Sequence, residues 1–149
     1  MANLRTVLAK HTVVGLDTNP FIYLFEKNPT YFPLVDTLFD YLKMPGIQGI
    51  TSMITLIETC VQPQRDGRTD LVQIYEQALL NSQQVQTLSI TPDLAKSAIR
   101  MRAKYGLRVP DALQVSAALE SGATLFVTND HRFKHITELA ILILDDYLP

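Results

Sequence analysis

Five short runs of apolar, mostly β-branched residues recur along the chain, and they constrain its fold more than any other feature. Most are apolar at consecutive positions and do not alternate with polar residues, which is typical of strands covered on both faces of a parallel sheet. The predicted strands are Thr12–Leu16, Gly49–Thr51, Val85–Ser89, Thr124–Thr128 and Ile141–Leu144. This pattern favours a sheet that lies between two layers of helices.

Helical periodicity fills the segments between these runs. The predicted helices are Pro20–Glu26, Phe32–Leu42, Met53–Val61, Thr69–Asn81, Pro92–Tyr105 and Pro110–Ser121. Pro92 and Pro110 stand at first helical positions, where the missing N–H removes no hydrogen bond, and Gly106 and Gly122 stand where helices should end. Alternation of strand and helix implies right-handed crossovers. We therefore predict an α/β fold: a three-layer α/β/α sandwich with a mainly parallel five-stranded sheet.

Length and composition set further bounds. The 149 residues, 47% of them hydrophobic, fit one domain spanning residues 1–149, in which residues 1–12 form an extension ahead of the first strand. Leu4, Val7 and Leu8 are predicted to pack that extension as a turn of helix. The single cysteine, Cys60, excludes a disulfide framework and a cysteine-rich zinc site.

Charge and hydropathy bear on partners and location. A formal net charge of −2 gives no global basic field, so a nucleic-acid partner would need a local cluster of cations. The apolar run Ala140–Leu144 is far too short to span a bilayer, and the N-terminal segment MANLRTVLAKH does not read as a secretory signal. We therefore expect a soluble, cytoplasmic protein without a membrane partner.

Two acids stand at the ends of predicted strands. Asp17 follows the first strand in VVGLDTNP, and Asp130 follows the fourth in TLFVTND. Either aspartate could simply cap the helical turn after it, although Asn19 offers a second cap in the first case and leaves Asp17 free for other work. Ligands of open α/β sheets bind beyond the carboxyl ends of the strands, where the strand order reverses. Both aspartates are therefore candidates to flank that crevice.

Two further acids stand on predicted helices. Asp111 lies in the first turn of Pro110–Ser121, where an acid often does no more than interact with the helix dipole, and this helix end is expected to overhang the same crevice. Glu58 lies at the margin of a predicted buried face, and capping does not explain it; a side chain that reaches along the helix edge to water is the alternative. That predicted face comprises Met53, Ile54, Ile57, Cys60 and Val61.

Convergence of these four carboxylates would give them a chemistry that none has alone. Acids in a small volume repel each other unless they are protonated or neutralised by a cation. Mg²⁺ and Mn²⁺ are hard ions that prefer oxygen ligands and retain waters. An ion held in this way activates a water and stabilises charge on a phosphodiester during in-line displacement. The acids thus indicate metal-dependent phosphodiester hydrolysis as a candidate activity.

Four stretches of the chain together resemble the PIN-domain ribonucleases, and among them the VapC-type toxins of bacterial toxin–antitoxin pairs. They are VVGLDTN, the glutamate of ITLIETC, VPDALQVSAALESGA and LFVTNDHRF, in the family's order and at similar spacing. The resemblance implies a PIN-like fold and a divalent-metal-dependent endoribonuclease that cleaves single-stranded RNA with a metal-activated water, as the toxin of such a pair. It also implies a homodimer and inhibition by a small cognate antitoxin.

The same resemblance assigns roles to individual residues. The acids that would serve both as catalytic residues and as ligands of Mg²⁺ or Mn²⁺ are Asp17, Glu58, Asp111 and Asp130. The polar residues that would orient those carboxylates from a second layer are Thr18, Asn19, Thr128 and Asn129. Among the ligands, the resemblance makes Asp17 and Asp111 the principal ones.

Two arginines are candidates for binding the substrate, because a nuclease of net negative charge needs local cations to hold phosphates. Arg102 is predicted on the apolar side of its helix, where a guanidinium needs a partner, so we expect it to point toward the acids or a scissile phosphate. Arg132 closely follows Asp130 and is expected to form the other bank of a substrate groove.

Other functions stay open on the sequence alone. A housekeeping RNA-processing nuclease of the same family would carry the same acids. A phosphoacceptor receiver domain also holds Mg²⁺ at strand ends, but it requires a strand-terminal lysine, and the last strand region reads ILILDDYLP. No G-x-G-x-x-G or P-loop motif follows a strand, which disfavours a dinucleotide-binding module. A PIN-like fold kept for protein interaction would be expected to lack the acids, and all four are present.

Overall fold

Five parallel strands form one sheet in the computed structural model, which describes residues 2–149. The strands are β1 Val13–Leu16, β2 Gln48–Ser52, β3 Val85–Leu88, β4 Leu125–Thr128 and β5 Ala140–Ile143. Their order across the sheet is β3-β2-β1-β4-β5. The chain thus builds outward from β1 on one side and then returns to its other side with β4, so strand order reverses between β1 and β4. The predicted parallel five-stranded sheet is confirmed.

Helices cover both faces of the sheet. They are α1 Leu4–Leu8, α2 Thr18–Phe25, α3 Phe32–Leu42, α4 Met53–Arg65, α5 Thr69–Leu80, α6 Pro92–Tyr105 and α7 Val109–Glu120, with 3₁₀ helices at His131–His135 and Leu144–Tyr147. The boundaries predicted for α3 and α6 are confirmed at both ends. Within residues 2–149, no helix combines the length and the apolarity that crossing a bilayer requires.

Alternate residues of the central strands enter two separate hydrophobic cores. Val14 and Leu16 of β1 pack in the core that contains α1 and α3, whereas Phe126 of β4 packs with Phe133 in the core beneath α6 and α7. Consecutive strand residues point to opposite faces, so both faces must be apolar when helices cover both. The continuous apolar runs in the sequence have this origin.

Helix α7 lies unusually close to β1. A Cβ atom placed on Gly15 would lie 2.4 Å from the Ala118 Cβ, a separation that real Cβ atoms do not adopt. Glycine on the strand and alanine on the helix therefore permit the contact. A helix that connects parallel strands runs back along the sheet, so the N-terminus of α7 lies at the edge where β1 and β4 end. This packing carries Asp111 to that edge.

The N-terminal extension is part of the fold. Leu4 and Leu8 of α1 are buried in the core beside α3, and the Asn3 side chain caps α1 by accepting a hydrogen bond from the Thr6 N–H at 2.9 Å. The prediction that residues 1–12 include a packed helical turn is confirmed for the described residues. Burial of leucine on one side of a five-residue helix supplies the stability that so short a helix lacks alone.

The buried face predicted for α4 is wrong at two of its five positions, although Ile54 does pack against a core. Ile57 is 58% exposed and Val61 is 41% exposed, whereas Thr55 and Thr59 are buried. On the inner side of α4, Thr55 hydrogen-bonds to hydroxyls at the strand ends while Ile54 and Leu56 pack against the two cores, so hydrophobicity alone does not identify that side. The helix also continues through Pro63 to Arg65, beyond its predicted end at Val61.

Candidate active site

Asp17 lies where β1 ends and α2 begins, and its carboxylate is buried. Oδ1 accepts a hydrogen bond from the Thr18 N–H at 2.9 Å, and Oδ2 accepts one from the Thr128 hydroxyl at 2.7 Å. Helix α2 starts at Thr18 and not near Pro20, so Asp17 itself is the cap. The expectation that Asn19 could relieve Asp17 of capping is therefore wrong, because Asn19 already lies inside the helix.

The environment of Asp17 disfavours its charged form. Burial raises the pKa of this carboxyl to about 6; the hydrogen bonds from Thr128 and Thr18 oppose the shift, and the negative charges of Asp111 and Glu58 add to it. Among residues 2–149, no lysine, arginine or histidine forms an ion pair with Asp17. A buried carboxyl thus lies at the switch point of the sheet without a cationic partner.

Glu58 reaches the same strand end from α4. Its side chain is exposed, and its Oε1 accepts a hydrogen bond from the Thr18 hydroxyl at 2.8 Å. Thr18 is the neighbour of Asp17, so this bond holds a second carboxylate beside the first. The predicted reach of Glu58 toward the strand ends is confirmed, although it arises from a polar contact and not from the packing face that the sequence indicated.

A buried glutamine joins the elements beneath these acids. Gln114 of α7 is 2% exposed and accepts a hydrogen bond from the Ser52 hydroxyl at 2.6 Å. Its Nε2 donates to the Thr55 hydroxyl at 2.8 Å and to the Thr18 hydroxyl at 3.1 Å. Sequence analysis missed this residue. The signal was present, since Gln114 is the only amide among the small and apolar residues of VPDALQVSAAL.

Asp111 and Asp130 form the outer half of the site, and two arginines hold them. Asp111, in the first turn of α7, accepts a hydrogen bond from Arg108 Nε at 3.0 Å and lies 3.5 Å from Arg132 Nη2. Asp130 caps the 3₁₀ helix by accepting from the Arg132 N–H at 2.9 Å, and Arg132 Nε lies 3.0 Å from both of its oxygens. These bonds to Arg132 lower the pKa of Asp130.

Short contacts therefore connect all four carboxylates, which we call the acidic cluster: Asp17, Glu58, Asp111 and Asp130. Thr18 links two of them, and Thr128 links another pair, because its hydroxyl donates to Asp17 and accepts from the Asp130 N–H at 3.0 Å. Within residues 2–149, however, no three acids, histidines or cysteines are arranged so that together they could hold a metal ion. Oxygens of two members of the cluster are instead directed at arginines.

The predicted supporting residues divide into two kinds. Thr18 and Thr128 donate directly to carboxylates of the acidic cluster, as expected. Asn19 accepts from the Asn129 N–H at 3.0 Å, and Asn129 exchanges hydrogen bonds with Asp145. The two asparagines thus join the backbone segments that follow β1 and β4. They hold the backbone around the site and form no hydrogen bond with its four carboxylates.

The predicted position of Arg102 is wrong. Its side chain is exposed, and it forms no ion pair with any residue of the described chain. The buried residues of α6 are Leu94, Ser97, Ala98 and Met101, and Arg102 lies beside that face, where its guanidinium reaches water. Nothing in the structure directs it to the acidic cluster. Arg132, in contrast, contacts the cluster as predicted, and Arg108, which the sequence did not assign to the site, contacts Asp111 as well.

Comparison with known proteins agrees with this arrangement of strands. The family model described as PIN domain matches residues 14–139. The chain belongs to the PIN domain family. Its match begins at β1 and ends at the edge of β5, so it includes all four members of the acidic cluster. No curated protein matches the chain in sequence.

Three solved structures illustrate which proteins share the fold of this PIN domain. A toxin–antitoxin complex from Klebsiella pneumoniae contains a chain that is 22% identical, with a TM-score of 0.67; the match covers 89% of this chain and 97% of that one. VapBC2 from Rickettsia felis, bound to a DNA fragment from its promoter, is 18% identical (TM-score 0.61, 88% and 98% covered). VapC20 from Mycobacterium tuberculosis, a toxin that cleaves the sarcin–ricin loop, is 18% identical (TM-score 0.66, 86% and 98% covered).

Proposed function

We propose that this PIN domain is a divalent-metal-dependent endoribonuclease that cleaves single-stranded RNA. One observation carries the proposal: the Asp17 carboxyl is buried at the switch point of the sheet, has no cationic partner in residues 2–149, and lies beside three other acids. A buried charge is expensive unless it is paired or coordinates a metal. Membership of the PIN domain family supports the proposal. The stretches by which this chain resembles the ribonucleases of that family contain the same four acids.

The chemistry of the donors fits Mg²⁺ or Mn²⁺, although their present spacing does not bring three of them together and Arg132 contacts two of them. All four donors of the acidic cluster are carboxylates, the ligand type that hard divalent cations prefer. A cation at Asp17 would favour the charged form that burial now disfavours. We expect Asp17 and Asp111 to be the principal ligands, with Glu58 and Asp130 completing the set. When bound, such an ion lowers the pKa of a water and stabilises charge that develops on the phosphodiester.

Residues of the chain supply orientation and charge around that ion. Thr128 and the Thr18 N–H hold both oxygens of Asp17 in place, and Gln114 fixes the Thr18 hydroxyl from beneath. Arg132 presents a guanidinium at the solvent side of the cluster, where an RNA phosphate would arrive. Guanidinium groups bind phosphate oxygens through paired N–H donors, so Arg132 is the proposed phosphate contact.

The biological role that we propose is that of a toxin acting in the cytoplasm, inhibited by a small cognate antitoxin and assembled as a homodimer. Support comes from the fold shared with toxins of toxin–antitoxin systems over more than 85% of the chain. Expression in a bacterial host tests this role, since the wild-type protein should arrest growth and Asp17→Asn should not. Light scattering of the purified protein tests the dimer.

Cleavage of a panel of single-stranded RNAs tests the activity. We expect cleavage with Mg²⁺ or Mn²⁺, none with EDTA, and a loss of at least about 100-fold in Asp17→Asn, because that variant lacks the central ligand charge. Asp36→Asn is the matched control, since Asp36 is exposed on α3 and forms no ion pair with any residue at positions 2–149. Cleavage that survives both EDTA and Asp17→Asn would show that the proposed mechanism is wrong.

A further inference from the structure

Arg132 spans two carboxylates of the acidic cluster. It donates from Nε to Asp130 and places Nη2 near both Asp130 and Asp111, at 3.5 Å from the Asp111 Oδ2. The Arg132 side chain is 57% exposed, whereas those of Asp130 and Asp111 are 22% and 12% exposed. The guanidinium therefore covers the two acids from the solvent side.

This position brings Arg132 into competition with any cation that the acids would bind. The carboxylate oxygens that it contacts belong to two of the proposed ligands, and a guanidinium does not lose its proton in proteins. It can therefore give up these oxygens only by moving away. Its exposed side chain leaves room for that movement, since water already surrounds more than half of it.

The other charged contacts of the cluster differ from this one. Arg108 donates to Asp111 alone, through Nε at 3.0 Å, and Asp17 has no ion pair within residues 2–149. Among the charged residues at positions 2–149, only Arg132 forms ion pairs with two of the acids. Its removal should therefore change the charge balance of the cluster more than the removal of Arg108.

We propose that Arg132 is a displaceable counter-ion of the acidic cluster. It neutralises Asp130 and Asp111 while no metal is bound, and a divalent cation must displace it in order to use those oxygens. Displacement frees the guanidinium at the mouth of the site, where it can bind an RNA phosphate. Binding of the ion and exposure of the phosphate contact are then one event. This inference rests on the proposed function, since it requires that the acids bind a divalent cation.

Calorimetric titration with Mn²⁺ alone, without RNA, tests the competition directly. We expect Arg132→Ala to bind Mn²⁺ at least about five-fold more tightly than the wild type, because the ion no longer displaces an ion pair and meets one positive charge fewer. Arg132→Lys keeps the charge but loses the bidentate contact with Asp130, so its affinity for Mn²⁺ should lie between those of the wild type and Arg132→Ala. Arg102→Ala is the matched control: it removes an equal charge at an exposed position without an ion pair, and its affinity should stay within about two-fold of the wild type.

Thermal denaturation gives an independent measure on the same variants. Without metal, Arg132→Ala should unfold at a lower temperature than Arg102→Ala, since its acids repel each other without a counter-ion; with Mn²⁺ it should gain more stability than the wild type. Equal or weaker Mn²⁺ binding by Arg132→Ala would overturn the inference and leave the proposed nuclease activity standing. Absence of Mn²⁺ binding by the wild type would overturn both.

Discussion

At the scale of single residues, Asp17 combines two roles that local sequence presents as alternatives. Oδ1 caps α2 and Oδ2 accepts from Thr128, so both oxygens are oriented before any ligand is present. Capping normally stabilises a helix, but here burial raises the pKa of the carboxyl to about 6. The residue therefore stabilises its helix through a hydrogen bond and destabilises the fold through its charge. Such a conflict is typical of functional residues.

We expect Asp17→Asn to stabilise the metal-free protein near neutral pH. The pKa of Asp17 is raised from 3.8 to about 6 on folding, so between these values the folded protein keeps a proton that the unfolded chain has released. Stability is lost as the pH rises through this window, and above it the charge costs the fold up to about 3 kcal/mol. Asparagine keeps the cap and avoids this cost.

Urea denaturation in EDTA measures the effect of Asp17→Asn. The variant should exceed the wild type near neutral pH and match it below about pH 3, where the wild-type carboxyl is protonated in both states. Asp36→Asn, at an exposed position, should leave the free energy of unfolding unchanged at both pH values. Addition of Mg²⁺ should stabilise the wild type and not Asp17→Asn. A variant that is less stable than the wild type at neutral pH would contradict the assigned cost of the buried charge.

At the scale of secondary-structure elements, α7 does more for the site than supply Asp111. Its close packing on Gly15 of β1 carries Gln114 into hydrogen-bonding contact with groups from β2, α4 and α2. One buried amide thereby connects four elements beneath the acidic cluster. The partners are the hydroxyls of Ser52, Thr55 and Thr18, and each has its own further hydrogen bond. Buried networks of this kind hold their members strongly only while they are complete.

We expect Gln114→Ala to destabilise the protein by about 2–4 kcal/mol, because it leaves buried hydroxyls short of a partner and opens a cavity. Cleavage should fall as well, at temperatures where the variant is folded, since Thr18 loses the contact that positions it beside Glu58. Urea denaturation and RNA cleavage measure the two effects. Gln73→Ala, which changes an exposed glutamine of α5, should leave both unchanged. A fully active Gln114→Ala would show that the network is structural alone.

At the scale of the whole molecule, the order of the strands assembles the site. Because the chain returns to the far side of β1 with β4, Thr128 lies opposite Asp17 although 111 positions separate them. The two cores hold the sheet from both faces, and α1 belongs to one of them through Leu4 and Leu8. Helix α1 thus stabilises the sheet through this core, and no hydrogen bond or ion pair joins its residues to the acidic cluster.

We expect Leu8→Ala to lower the free energy of unfolding by about 2–5 kcal/mol, since Leu8 is fully buried and its truncation leaves a cavity beside α3. RNA cleavage by the folded variant should stay close to the wild-type rate, because no contact links α1 to the acids. Ile99→Ala, at a position that is 66% exposed, is the control and should change stability by less than about 1 kcal/mol. A loss of stability no larger than that of the control would contradict the packing of α1.

The sequence by itself determined the elements and the identity of the acids. Apolar runs, proline and glycine positions and helical periodicity are local properties, so the five strands, α3 and α6 could be predicted with nearly correct bounds. The acids at the ends of β1 and β4 could likewise be recognised, because strand ends in a parallel sheet meet at one edge.

Only the tertiary structure decided what those side chains touch. The fully buried residues of α4 are threonines, of which Thr55 meets hydroxyls from other elements, and hydrophobic periodicity therefore placed Ile57 and Val61 on the wrong face. Arg102 is likewise exposed, beside the buried face of α6 and not within it, because packing against the rest of the fold decides which residues of that helix are covered. The ion pair between Arg132 and Asp111 and the hydrogen bond from Gln114 to Thr18 join segments that the order of the strands brings together. Contacts of that kind depend on chain topology, which no local pattern encodes.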